Sequence, residues 1–326
     1  MNVNRIQEIL AIICFSLLTL SSLVYYNREE LYIRPELYFY LLSLVTGIVF
    51  VQILLINEET RKFLRSIIFI EIILISTSFT VTQQALFKTV LGRDPWFHWI
   101  FVEEIVRRGF IPPYEDIPMP YIYMPNFHLL IAFGMILSGI SYKWSQFLFI
   151  GFPTLLLLTL TAFLFYNKLF GLKVAFISML FITIADNVLD MVGKNIVPNS
   201  LGVGLAFIIF YLVCFKFLEL KTKLIAIILS VSLVLTHTVS FSFIIYQALV
   251  LTIIAFLLKD VNFKSYFNFL IILLILAILE WAFYTKFYFK SLLTMFEQLF
   301  IYGFEIERYE MRLPTSFYDV VLARLG

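Results

Sequence analysis

Asp94 and His98 stand four residues apart in Gly92-Arg93-Asp94-Pro95-Trp96-Phe97-His98-Trp99. On one helical turn that spacing turns a carboxylate and an imidazole the same way. The pair suits ligation of a divalent metal (Mg or Mn), or a base with its orienting partner. Trp96 and Trp99 would anchor such a helix at a membrane interface. Spacing alone equally allows an interfacial helix in which Asp94 is only an N-cap.

A second stretch, Tyr121-Ile122-Tyr123-Met124-Pro125-Asn126-Phe127-His128, puts His128 and a tyrosine hydroxyl where a sugar or phosphate would need them; it also reads as a tyrosine-rich turn opening a helix. A third runs from Asp186 to Asn199. Here Lys194 and Asn195 could meet a phosphate, assisted by the free amides of a helix beginning at Pro198. An ordinary turn between two helices reads as well. The last candidate is His237 in Leu-Thr-His-Thr, a position that also suits a packed or capping residue. The chain has 3 histidines in all. It shows no P-loop, no nucleophile elbow and no His-Glu-x-x-His pattern.

The elements that must position these groups are dictated by composition. Hydrophobic residues make up 61% of the 326 and charged residues 14%, against about half and about a quarter in soluble domains. Lipid must therefore solvate part of this surface, and the fold class is all-α, a polytopic integral membrane protein. A net charge of +2 gives no reason to expect nucleic acid as a partner. Cys14 and Cys214 lie in apolar runs and read as small packing residues.

Runs of roughly 20 apolar residues place about nine spanning helices near 9–26, 37–56, 66–87, 144–166, 172–190, 197–217, 222–237, 239–258 and 266–285. The run from Leu224 to Leu258 is too long for one span and is split at Thr236-His237-Thr238. Three regions follow: N-terminal membrane helices 1–65, a transmembrane module 66–285 with a long loop 88–143, and an amphipathic segment 286–326, where the chain reads as cut short. Within the loop, Pro95 to Gly109 is an expected amphipathic helix capped by Asp94 and stopped by Gly109. The apolar piece 127–140 is short for a span and suits an interfacial or re-entrant helix. If it does not cross, Arg5, Arg61, Lys62, Arg65, Lys168, Lys173, Lys216, Lys221, Lys223, Lys259 and Lys264 share one face, which reads as cytoplasmic. The histidines, Asp94, Asp190, Lys194, Asn195 and Glu280 then share the other. If it crosses, the bias reverses; charge counting does not decide.

Arg93-Asp94-Pro95-Trp96-Phe97-His98-Trp99 resembles the Asp-Pro-Trp-Phe-Asn-Tyr element in the first outer loop of oligosaccharyltransferase catalytic subunits. These belong to the GT-C class of polyprenyl-phosphate-dependent membrane glycosyltransferases. The order of features is similar too: an acidic outer loop with amphipathic helices, a Tyr-x-x-Pro segment (Tyr121 to Met124, then Pro125), then two spans and a second outer loop. The resemblance covers residues 66–220. It implies a non-crossing helix in the first loop and gives Asp94 the role of metal ligand or catalytic base.

His98 stands where that family has Asn, Lys194-Asn195 stand in place of an acidic second-loop motif, and Trp-Trp-Asp-Tyr-Gly is missing. The implied activity is therefore transfer of a single sugar from a polyprenyl-phosphate donor at the extracytoplasmic face of the cell membrane. Asp94 would be the base or metal ligand, with Arg93, His98, His128, Lys194, Asn195 and His237 binding substrate and phosphate, and His98 a second metal ligand. The alternative is a transporter or flippase with Glu71, Asp186, Asp190, Lys194 and Glu280 along its path.

Overall fold

The computed structural model describes residues 3–117, 120–216, 219–260, 262–285 and 293. Among them every regular element is helical. Three long helices come first: α1 (Val3–Tyr26), α2 (Glu36–Leu55) and α3 (Lys62–Ala85). Two shorter ones, α4 (Arg93–Arg108) and α5 (Asn126–Ser138), are joined through a 3-10 turn at Pro120–Tyr123. Next, α6 (Tyr142–Gln146) runs through a π-helical turn (Phe147–Gly151) into α7 (Phe152–Phe170). The rest are α8 (Leu172–Ile184), α9 (Asp186–Gly193), α10 (Pro198–Lys216), α11 (Leu220–Val234), α12 (Thr238–Leu257) and α13 (Phe263–Ile278), the last extended by a π-helical turn at Leu279–Tyr284.

By length and apolarity, 7 of these segments suffice to cross a bilayer, or 8 if α8 and α9 count as one broken span. The chain is thus a multi-pass helical membrane protein. The continuous span expected over 172–190 is bent by 58° between α8 and α9. Asp186 and Asn187 lie in the first turn of α9, and such residues favour helix starts over helix interiors. The span expected over 222–237 is the 15-residue α11, shorter than the roughly 20 residues that reach across hydrocarbon. The expected amphipathic segment 286–326 lies outside the described residues, apart from Leu293.

Two packed cores hold the helices together. One joins α1, α2 and α3 to α8 around Cys14, Tyr38, Val45, Ile72 and Phe176. The other joins α4 and α5 to α6, the π-helical turn after it and α10 to α13, around Phe101, Phe127, Ile150, Ile209 and Phe241. Outside them, side chains such as Ile12, Phe63, Ile228 and Leu258 are exposed, as lipid-facing positions should be.

Side-chain bonds fix the course of the long loop. Lys143 Nζ, at the start of α6, donates to the carbonyls of Gln84 and Phe87 at the end of α3. Gln84 Nε2 donates to Gly193 O at 2.8 Å, and Gln146 Nε2 to Ile196 O at 2.5 Å. The end of α3, the start of α6 and the α9–α10 turn therefore share one face. Chain leaving α3 through α4 and α5 therefore returns to the end of α3 that it left. On the opposite face Asn4 Nδ2 donates to Glu59 O (3.3 Å), Arg61 pairs with Glu8 (3.1 Å), and Lys173 Nζ donates to Leu54 O (3.0 Å).

Candidate functional site

Helix α4 opens at Arg93, with Gly92 as its cap, so Asp94 sits in the first turn rather than at the N-cap. The sequence expectation was one to two residues late. Gly92 adopts φ 86°, ψ 156°, a conformation essentially confined to glycine. A Cβ there would also lie 3.4 Å from Asn195 Oδ1. The tight start thus brings the first turn of α4 against the α9–α10 turn. Along the helix, His98, Phe101, Val102 and Ile105 are buried at helical spacing, whereas Arg107 and Arg108 bond Glu104 on the outer side. Bonds from Arg107 first, then Arg108, hold the Glu104 carboxyl down to about 2. Gly109 ends the helix as expected.

Below α4 is a cleft of about 490 Å³ lined by Asp94, His98, Tyr121, Asn195, Asn199 and His237, with Phe97, Val197, Pro198 and Val239 as its apolar walls. Four sequence candidates, Asp94, His98, Asn195 and His237, thus come together from three separate parts of the chain. His128 lies behind the cleft, its ring Nε2 2.9 Å from His98 Nδ1, and it is fully buried among Phe101, Tyr121 and Phe127. Lys194 is placed otherwise: its Nζ faces Asp190 at 4.0 Å with half the side chain exposed, and it does not line the cleft. The side chain of Arg93 lies outside the described residues.

His237 caps α12. Its Nδ1 accepts from the backbone N–H of Ser240 at 3.3 Å and lies 3.0 Å from the Ser240 hydroxyl, which is 3.1 Å from Asn199 Oδ1. Asn126 reaches α11 through its backbone N–H to Leu235 O (3.2 Å) and its amide to Ser232 O (2.9 Å). The cleft is therefore held by bonds between successive helix ends. Burial, and next the nearby His237, push His98 down to about 4. Burial likewise lowers His128 and His237, so all three rings are uncharged at neutral pH.

Beside the cleft an apolar groove of about 540 Å³ runs between α7, α10 and α12, walled by residues such as Phe165, Phe207, Phe210 and Phe243. Asn199 and Val239 line both spaces. Asn199 and Ser240 were not among the sequence candidates; the local signal for them was slight, a polar residue after Pro198 and a hydroxyl three residues beyond His237.

Among the described residues no group of three or more His, Cys, Asp or Glu side chains converges on a metal position. Mg²⁺ and similar hard ions often use one or two carboxylates, with substrate phosphates completing the shell. Asp94 meets that minimum. His98, with Nδ1 committed to His128, offers one ring nitrogen that such an ion has little need of.

Of the residues of the transporter alternative, Asp186, Asp190 and Lys194 lie together on α9 and at its end. Glu71 is buried on α3 with both carboxyl oxygens unpartnered, whereas Glu280 lies in the π-helical turn after α13, beside Trp281 of the other core.

Compared with protein-family models, with curated proteins and with solved structures, the chain matches none.

Proposed function

We propose that this chain is a membrane glycosyltransferase of the GT-C type, moving a single sugar from a polyprenyl-phosphate donor to an acceptor at the outer membrane face. The observation that carries this reading is the wall, Asn199 and Val239, shared by a carboxylate-bearing cleft and an apolar groove. A polyprenyl-phosphate sugar joins a polar head to a long apolar tail, and needs adjoining compartments of just those polarities. The return of the chain to the end of α3, with α5 read as non-crossing, supports the first-loop arrangement that the GT-C resemblance implies.

Asp94, exposed in the cleft, takes the proton of the acceptor hydroxyl as that oxygen attacks the anomeric carbon. A positioned general base contributes roughly 10²–10⁴-fold. A divalent ion, where one is bound by Asp94, supplies neutralisation of the departing phosphate. Asn195, Asn199 and the cleft histidines orient the head group. We count nine passages between the faces, α8 with α9 forming a bent one and α11 a short one. Arg61 and Lys173 lie on the face away from the cleft, which supports an extracytoplasmic cleft.

The test uses the full chain in lipid nanodiscs with a radiolabelled polyprenyl-phosphate sugar. Asp94→Asn should abolish transfer while its thermal unfolding matches wild type. Full activity in that variant ends the proposal. So does substrate flux into proteoliposomes without product.

A further inference from the structure

We propose that His98 and His237 are a pair of neutral N–H donors, each locked in the tautomer that offers Nε2–H to the cleft, and that His128 and Ser240 are the positioning residues that lock them. Their ligand is a phosphate oxygen. That part rests on the transfer reading above; the locking does not.

The His98–His128 contact of 2.9 Å holds one proton between Nδ1 of the first ring and Nε2 of the second. Two arrangements of neutral rings are available. If His98 donates, the His128 proton must sit on Nδ1, which is buried and has no partner among the described residues. An orphaned buried N–H is among the rarest features of folded proteins, whereas an unused acceptor is better tolerated. If His128 donates, Nδ1 of His128 is that unused acceptor and His98 must carry its own proton on Nε2. The second arrangement prevails. It leaves His98, on the cleft wall, with its free nitrogen protonated.

His237 reaches the same state by other means. The backbone N–H of Ser240 is one of the first donors of α12 and finds its acceptor in His237 Nδ1. A proton on Nδ1 would set donor against donor, so the neutral ring carries it on Nε2. The Ser240 hydroxyl, 3.0 Å from Nδ1, donates to Asn199 Oδ1 at 3.1 Å and so ties this turn to α10. Both rings line one cleft, and both are kept uncharged by burial. They face Asp94 from α4, Tyr121 from the 3-10 turn, His128 from α5, and Asn195 and Asn199 from the α9–α10 region. A phosphate held this way meets hydrogen-bond donors that do not titrate near neutral pH. On this assignment His98 is a donor, not a metal ligand.

The experiment is long-range proton–nitrogen spectroscopy of the full chain in nanodiscs, labelled with ¹⁵N-histidine at pH 7. Both His98 and His237 should show Nε2 protonated and Nδ1 bare, and inorganic phosphate should shift both Nε2 signals. A proton on Nδ1 of either ring, or no phosphate response at either, overturns the proposal. His128→Leu should leave His98 as a mixture of tautomers and slow sugar transfer roughly ten-fold, the rate equivalent of about one hydrogen bond. His128→Gln, whose amide places a donor near the Nε2 position, should restore most of the rate and the single tautomer. Equal behaviour of the Leu and Gln variants counts against locking. A wild-type chain that transfers no sugar, yet gives the expected tautomers and phosphate shifts, would sink the transfer reading alone.

Discussion

Replacing Gly202 by alanine places one methyl group where α10 meets the first turn of α12. The added Cβ would fall 2.6 Å from Ser240 Oγ, 2.9 Å from Ser240 Cβ and 3.1 Å from His237 Cβ. Both separations under 3.0 Å are to Ser240, whose Cβ is fixed to the backbone of α12 and cannot swing aside. The helices must separate, and the turn that moves is the one binding His237 Nδ1 and reaching Asn199. Forcing a methyl group into a closed packing site costs about 1–3 kcal/mol. In a bilayer little offsets it, because helix association there depends on close backbone approach at small residues. The internal control is Gly204→Ala, two residues along α10, whose Cβ would lie 3.3 Å from Thr154 Cγ2 and 3.5 Å from Leu157 Cδ1; it should be nearly neutral. Thermal unfolding in one detergent would compare the two, with sugar transfer as a second readout. Gly202→Ala should unfold at a lower temperature than both Gly204→Ala and wild type, and should lose activity. An unchanged midpoint would mean that the α10–α12 contact relaxes freely, and the argument that it clamps His237 would fail.

Acid should destabilise the fold through His98. Its folded value is about 4 against 6.5 for the free ring, so between these values the unfolded state binds more protons. That stability is fully present above 6.5 and is lost as the pH falls toward 4; denaturation midpoints of wild type and His98→Gln should converge at acid pH, and parallel curves would refute the assignment. Gly92→Ala places a side chain at φ 86°, ψ 156°, at a cost of roughly 1–3 kcal/mol. Through that backbone strain it should reduce transfer more than Gly109→Asn, whose side chain tolerates the left-handed C-cap at φ 77°; the ratio of the two activities checks this. Lys143→Met removes the donor that bonds the Gln84 and Phe87 carbonyls and should lower stability by about 1–3 kcal/mol, read as the denaturant midpoint in detergent.

Much of the helix plan was legible along the chain. The apolar runs located α2 and α12 to within a residue of where they lie, because a spanning helix satisfies its own backbone and its length is set by the bilayer. Pro95 and Gly109 marked α4 from local signals alone, two residues late at its start and correct at its end. The interruption at Ala185 was less visible, since it contains neither glycine nor proline and only Asp186-Asn187 marks a restart.

Sequence by itself determined that lipid must solvate this chain, and that Asp94 and His98 ride on an amphipathic helix, since both follow from composition and a 3.6-residue period. Tertiary structure alone decided that His128 stands behind His98, that Asn195 and His237 reach the cleft while Lys194 turns to Asp190, and that a groove lies alongside. Those outcomes depend on how closely helices approach at small residues such as Gly202 and on which carbonyls Lys143 and Gln146 reach. Contacts between residues far apart in sequence leave no periodic mark on the chain.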